Sequence, residues 1–306
     1  MLTYVYDGSL EGLFTALYEG LFSGEEVAEI TNNRRYRPSL FSTAKVIATD
    51  PEKARKLRRF LQKRLSRQAF QNLVYCYLSE SGMEKTILSY IRLLMPAGRK
   101  AGGNSHARSR EIMAVLGAIT QTARKVAYEV HRFHGFLRFR QVRVGTWKNA
   151  CPNTCTSAHT PDGDPGAEVA DTLLSSCGNT HASIDECDGD FYYAPIEPDH
   201  NILALLVPHF TARFAGQKWF IHDRRRNLGA YYDGRECRLV SGVEISDQLA
   251  ASLQGRKAGS EDEEEMLCRE LWQEYFTSTA LEERKNEKLQ KQHMPVRYWK
   301  YLTEFE

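Results

Sequence analysis

The chain has 306 residues, 42% of them hydrophobic, and a formal net charge of +2. That length can bury a substantial core, in one large domain or two interlocked halves. No run of eighteen apolar residues occurs, which argues against a membrane-spanning helix, and Met1-Leu2-Thr3-Tyr4-Val5-Tyr6-Asp7 lacks the basic and apolar regions of a secretory signal.

In chain order, Leu2 to Tyr6 reads as a short strand and Ser9 as the N-cap of a helix running to about Tyr18. A second strand is expected at Ala44 to Ala48, ended by Asp50-Pro51. Three helical stripes follow: Leu57, Phe60, Leu61 and Leu65; then Phe70, Leu73, Val74, Tyr77 and Leu78 after Ser66; then Ile87, Ile91 and Leu94 up to Pro96. A flexible basic loop spans Gly98 to Ser105. The longest element carries Ile112, Leu116, Ile119, Ala123, Val126, Val130 and Phe133 at helical spacing, and Gly135 is expected to break it. Beyond it, Phe136, Arg138 and Arg140 alternate with Leu137, Phe139 and Gln141 as in a strand.

Residues 151–189 have the composition of a disordered acidic insertion. A strand is expected at Phe191 to Ala194, a helix from about Asn201 to Phe214, and strands at Lys218 to His222, Leu228 to Tyr232 and Arg235 to Val240. Asp233-Gly234 marks a hairpin turn between the last two. After a polar linker at Gly255 to Glu265, one long helix carries Leu267, Leu271, Tyr275 and Phe276 and reaches Lys291. The inferred class is α+β: a helical N-terminal half packed on a small, mostly antiparallel sheet and closed by a long C-terminal helix. The divisions, expected to form one integrated domain, are a mainly helical basic region at 1–135, an antiparallel sheet region at 136–254, and the linker with the C-terminal helix at 255–306.

The near-neutral total hides a polarised charge distribution. Residues 53–148 hold 21 Lys and Arg against 4 acids, and residues 149–200 hold 10 acids with no Lys or Arg. Such a basic stretch must make one face strongly positive, and its natural counterpart is a polyanion. Lys53, Arg55, Lys56, Arg58, Arg59, Lys63, Arg64 and Arg67 leave the apolar stripe of their helix intact and so lie on its outer face. A merely solvated face is the alternative, but acidic partners at i±4 are almost absent. A phosphate-facing surface follows as the expectation.

Other constellations are less decisive. Arg138 and Arg140, alternating with aromatic rings, offer cations to phosphates; the alternative puts the rings in the core and the arginines in solvent. The densest polar cluster runs from Glu197-Pro198-Asp199-His200-Asn201 through His209 and Arg213 to His222-Asp223-Arg224-Arg225-Arg226. Its His and Asp spacing matches no metal site, and the Arg triplet is better suited to phosphate. Cys151, Cys155, Cys177, His181 and Cys187 are too loosely spaced for a zinc site, and no cofactor is expected. Cys76, Cys237 and Cys268 lie alone in ordinary patterns, as reduced thiols in a cytoplasm would. No Walker A loop, G-x-G-x-x-G, G-x-S-x-G or H-E-x-x-H occurs.

Three stretches carry a family resemblance: Phe133-His134-Gly135-Phe136-Leu137-Arg138-Phe139; Tyr193-Ala194-Pro195-Ile196-Glu197-Pro198-Asp199-His200-Asn201 through His209-Phe210-x-x-Arg213 to Trp219-x-Ile221-His222-Asp223-x-Arg225; and Glu283-Arg284-x-Asn286 through Met294-Pro295-x-Arg297-Tyr298-Trp299-Lys300. Together with Tyr4-x-Tyr6-Asp7-Gly8-Ser9-x-Glu11-Gly12, they resemble the bacterial "probable DNA metabolism protein" family, whose core is a domain of unknown function. The resemblance implies a radical-SAM DNA modification or repair protein as partner, or fusion to a uracil-DNA-glycosylase-like domain. It implies no catalytic residue, and without cluster cysteines the chain is not expected to cleave S-adenosylmethionine itself.

The preferred expectation is a DNA-binding accessory that presents DNA to such an enzyme. Arg58, Arg59, Arg138, Arg140, Arg213, Arg224, Arg225, Arg284, Asn286, Arg297 and Trp299 would line the contact surface. An enzyme acting on nucleic acid through His209, His222 and Asp223 is one alternative, and a protein–protein scaffold is another.

Overall fold

A computed structural model of the chain describes residues 1–95, 105–142, 181–183, 191–244, 263–281, 283 and 286–305. Those residues form two compact units, divided between Tyr128 and Glu129. The class is α+β, as expected: a helical N-terminal half with a small sheet of its own, and a second, mostly antiparallel sheet. No helix among the described residues is long and apolar enough to cross a membrane.

In the N-terminal unit, β1 (Leu2–Tyr6) lies between β2 (Val27–Asn32) and β3 (Thr43–Val46), parallel to both. Four consecutive residues of β1, Thr3 to Tyr6, are buried, as a central parallel strand requires. Strand β2 was not expected from the sequence. Its partner lies across the crossover helix α1 (Leu10–Phe22), so the pairing is non-local and leaves little trace in a short window. Ser9 caps α1 as expected, its Oγ accepting from Gly12 N at 2.9 Å, and the helix outruns Tyr18 to Phe22.

Helix α2 (Pro51–Arg64) is capped by Asp50, which accepts from Glu52 N at 2.9 Å, and buries Ala54, Leu57 and Leu61. Helix α3 (Arg67–Leu78) is capped by Ser66, and α4 (Glu84–Leu94) buries Ile87, Leu88 and Ile91. The buried Glu84 accepts from Arg35 Nη2 at 2.9 and 3.0 Å and from the Tyr6 hydroxyl at 3.2 Å. Helix α5 (Ser105–Phe136) does not break at Gly135, because Leu137 N still donates to Phe133 O at 3.1 Å. The strand expected from Phe136 is therefore shorter, and β4 covers only Arg140–Val142.

The second sheet has the order β4-β6-β7-β8-β9-β5, with β5 (His181–Ser183), β6 (Phe191–Ile196), β7 (Trp219–Asp223), β8 (Leu228–Tyr232) and β9 (Cys237–Glu244). Only β6–β7 and β5–β9 are parallel. The β8–β9 hairpin turns at Asp233-Gly234 as expected, with Gly234 at φ +95°. Phe191, Tyr193, Phe220, Val142 and Val243 make one buried cluster. Gly229 makes room for it: a Cβ there would lie 2.3 Å from Phe220 Cζ. Helix α6 (Leu203–Arg213) crosses from β6 to β7.

The expected long C-terminal helix is instead two, α7 (Glu263–Thr279) and α8 (Glu287–His293), followed by 3-10 turns at Val296–Tyr301 and Thr303–Phe305. Near the end of α7 the hydroxyls of Thr277 and Thr279 bond back to the carbonyls of Gln273 and Tyr275 at 2.9 and 2.8 Å, and Asn286 starts a new cap. Strand β5 falls inside the expected 151–189 insertion; the rest of that insertion, its four cysteines, the basic loop before Ser105, most of the 255–265 linker and Arg284 lie outside the described residues.

Candidate functional site

Between β6 and α6 the chain runs through Glu197, Pro198, Asp199 and His200 without regular structure, so its backbone groups need partners from elsewhere. Two buried charged side chains supply them. Glu129 on α5, 3% exposed, accepts from Asp199 N at 2.8 Å and His200 N at 2.9 Å. Arg226 donates to Pro198 O at 3.1 Å and Asp199 O at 2.6 Å. Arg226 is itself fixed by Asp223, fully buried at the end of β7, at 2.9 Å.

The remaining oxygens are also satisfied. Asp223 Oδ1 accepts from Arg225 N at 3.0 Å and Arg226 N at 3.2 Å, and Glu129 accepts from the Tyr298 hydroxyl at 2.7 Å. The side chains extend the lattice: Asp199 pairs with Arg297 and, at 3.5 Å, with Arg225; Glu197 meets Lys300 at 2.6 Å. The Lys300 ammonium holds the Glu197 carboxyl below its ordinary range, against the opposing effect of burial. Burial pushes Asp223 the other way, and Arg226 only partly offsets it. The motif stretches around Glu197-Pro198-Asp199, Asp223-x-Arg225 and Arg297-Tyr298-Trp299-Lys300 thus form one polar lattice.

The three histidine and aspartate candidates for catalysis are not assembled into one group. His209, on α6, stacks on His134 with ring centroids 4.1 Å apart and planes at 15°. Burial, with His209 and His131 adding, pushes His134 down to about 4. His222 sits within β7, its Nδ1 2.9 Å from the Tyr193 hydroxyl, and burial pushes it to about 4. Asp223 is held by Arg226. Among the described residues, no group of three or more His, Cys, Asp or Glu could hold a metal ion.

The residues expected to contact nucleic acid separate into two sets. Arg138 is turned inward, donating to Gly135 O at 2.6 Å and pairing with Glu304 at 3.2 Å. Arg297 is bound as above. The Trp299 ring stacks on Phe305 at 4.4 Å and its Nε1 donates to Met294 O at 3.0 Å. Asn286 is the N-cap of α8, accepting from Leu289 N at 3.0 Å. Arg140 opens β4 opposite Tyr193, while Arg213, Arg224 and Arg225 are exposed. Sequence reasoning favoured Arg224 and Arg225 from the triplet and passed over Arg226, although an Asp and an Arg three residues apart across a turn are well placed to pair. Glu129 was also missed, as one polar position on a long helical stripe.

On α2 the basic run is partly neutralised. Lys53 pairs with Glu19 at 2.6 Å, Arg55 pairs with Glu52, and Arg58 is half-buried. Lys56, Arg59 and Lys63 are exposed and form no ion pair with a described residue. Spaced three and four residues apart, they make one stripe about 10 Å long, close to the rise of three nucleotides along one strand.

The family model described as a domain of unknown function, DUF4130, matches residues 182–304. That stretch contains every lattice residue except Glu129. No curated protein and no solved structure matches the chain.

Proposed function

We propose that the chain is a cytoplasmic DNA-binding accessory that presents DNA to a partner enzyme of repair or modification, of the radical-SAM or glycosylase type. The observation that carries the reading is the stripe of Lys56, Arg59 and Lys63, exposed and without acidic partners among the described residues, in a stretch with 21 cations to 4 acids. Cations left unneutralised by their own fold release counterions when they meet phosphates, which gives affinity without sequence preference. The family resemblance supplies the partner class, and the buried thiols of Cys76 and Cys237, each pushed up to about 12 by burial, suit a reducing compartment.

The test is fluorescence-anisotropy binding to matched single- and double-stranded DNA across a salt series. Affinity is expected to fall steeply with salt, and Lys56→Glu/Arg59→Glu/Lys63→Glu is expected to lower the log–log slope by about 2–3. No binding at low salt, or a triple variant with an unchanged slope, rejects the reading.

A further inference from the structure

The C-terminal unit contains a cleft of about 480 Å³, within the range of about 300–1,000 Å³ typical of small-molecule sites. Its lining is unusually aromatic. Phe139 packs edge-on against Phe214 at 5.2 Å and lies 6.2 Å from Trp219, giving a floor of fixed rings. Tyr192 and Trp272 add two rings that solvent can reach, Trp272 being 41% exposed.

Trp272 is held in place rather than free to swing. Its Nε1 donates to Glu304 Oε2 at 3.1 Å, and the Arg138 guanidinium lies 5.6 Å from its ring centre. Because Glu304 also pairs with Arg138, that arginine positions the tryptophan and carries little charge to a ligand. Arg213 differs: it is exposed, lines the cleft, and forms no ion pair with a described residue. Gln217 brings an exposed side-chain amide, both donor and acceptor. The indole N–H of the buried Trp219 has no hydrogen-bond partner among the described residues. Among the described residues, no carboxylate lines the cleft.

We propose that this cleft takes one unstacked nucleobase of a DNA single strand. Tyr192 and Trp272 supply the stacking surface, Gln217 meets the base edge, and Arg213 neutralises the attached phosphate. Reachable rings, one unneutralised guanidinium and an amide with both hydrogen-bonding senses match a nucleotide's flat base, anionic group and mixed edge. The assignment deepens the DNA-binding reading and rests on it for the choice of DNA as the polymer.

The test uses the full chain and two probes. Deoxythymidine monophosphate is too short to follow the α2 stripe and reports on the cleft alone, by quenching tryptophan fluorescence. A single-stranded DNA heptamer with 2-aminopurine at its centre reports stacking directly, because that base dims when it packs on an aromatic ring. Both signals are expected to saturate. Trp272→Ala and Tyr192→Ala are each expected to weaken heptamer binding about tenfold and to restore the 2-aminopurine signal. Arg213→Gln, a change at an exposed position, is expected to erase any preference for the monophosphate over thymidine.

A heptamer that binds with its 2-aminopurine bright, or equally dimmed in all three variants, overturns the cleft assignment and leaves salt-dependent DNA binding standing. A monophosphate that quenches through Trp272, in a protein that binds no DNA at low salt, removes the DNA-presenting reading and the choice of polymer together, leaving a mononucleotide site. Tighter binding of the corresponding RNA heptamer overturns the assignment to DNA.

Discussion

The α2 stripe of the N-terminal unit and the paired cations of the C-terminal unit handle positive charge in opposite ways. In the N-terminal unit, Lys56, Arg59 and Lys63 stand exposed on α2 without ion pairs among the described residues. In the C-terminal unit, Arg138, Arg225, Arg226, Arg297 and Lys300 each meet a carboxylate. A cation count treats these sets alike, but their energetics differ. Exposed, unpaired cations contribute little to folding and keep their charge for a ligand; the buried pair of Asp223 and Arg226 is costly to break and has little left to offer outside.

Breaking the buried pair gives the largest expected effect. Arg226→Ala leaves Asp223 buried without its counter-ion, strips Asp199 O of its donor and leaves Pro198 O only the 3.5 Å bond from Arg225, so a loss of about 3–5 kcal/mol is expected in denaturant unfolding. A loss below about 1 kcal/mol would show that the pair contributes little to holding the C-terminal unit together.

Acid acts on the same unit more gently. His222 and His134 are held near 4 in the folded chain, against about 6.5 when unfolded. Between those values the unfolded chain binds protons that the folded one refuses. Stability therefore falls as pH drops from about 6.5 toward 4, by up to about 1.4 kcal/mol per pH unit for each histidine. His222→Asn should flatten part of that slope in thermal unfolding at pH 7, 6 and 5, and an unchanged slope contradicts the assignment.

Asn286 sharpens the contrast between structural and ligand-facing residues. As the cap of α8, its change to Ala is expected to cost about 1 kcal/mol, less if α8 frays, with DNA affinity untouched. A fall in affinity without a fall in stability would return it to the contact surface. The smallest effect belongs to the α2 stripe: reversing Lys56, Arg59 and Lys63 is expected to move unfolding by only about 0.5 kcal/mol per site or less, although it changes the salt slope of binding. A larger stability loss would mean that the stripe belongs to the fold.

The sequence was most legible where a signal is local. Ser9, Ser66 and the Asp233-Gly234 turn each declare themselves within three or four residues, and the stripes of α2 to α4 are simple periodicity. It was least legible where a partner lies far along the chain. Strand β2 depends on β1 across a helix, and the split between α7 and α8 on hydroxyls that compete for helix carbonyls. The site behaves likewise. The polar cluster was visible, but its inward orientation was not, because Glu129 is 70 residues from Asp199 and 169 from Tyr298. Tyr192 and Trp272 each read as ordinary sheet or helix residues until the fold set them around one cleft.

The segment from Glu197 to His200 has a consequence for exchange with solvent water. An irregular connection usually gives up its amide hydrogens quickly, since small local openings expose them. Here the amides of Asp199 and His200 end on a buried carboxylate, and their release requires Glu129 to let go. These two hydrogens should persist in deuterated buffer on the timescale of the β6–β7 ladder. A short stretch with no helix or strand of its own would then serve as a clock for the opening of the whole C-terminal unit.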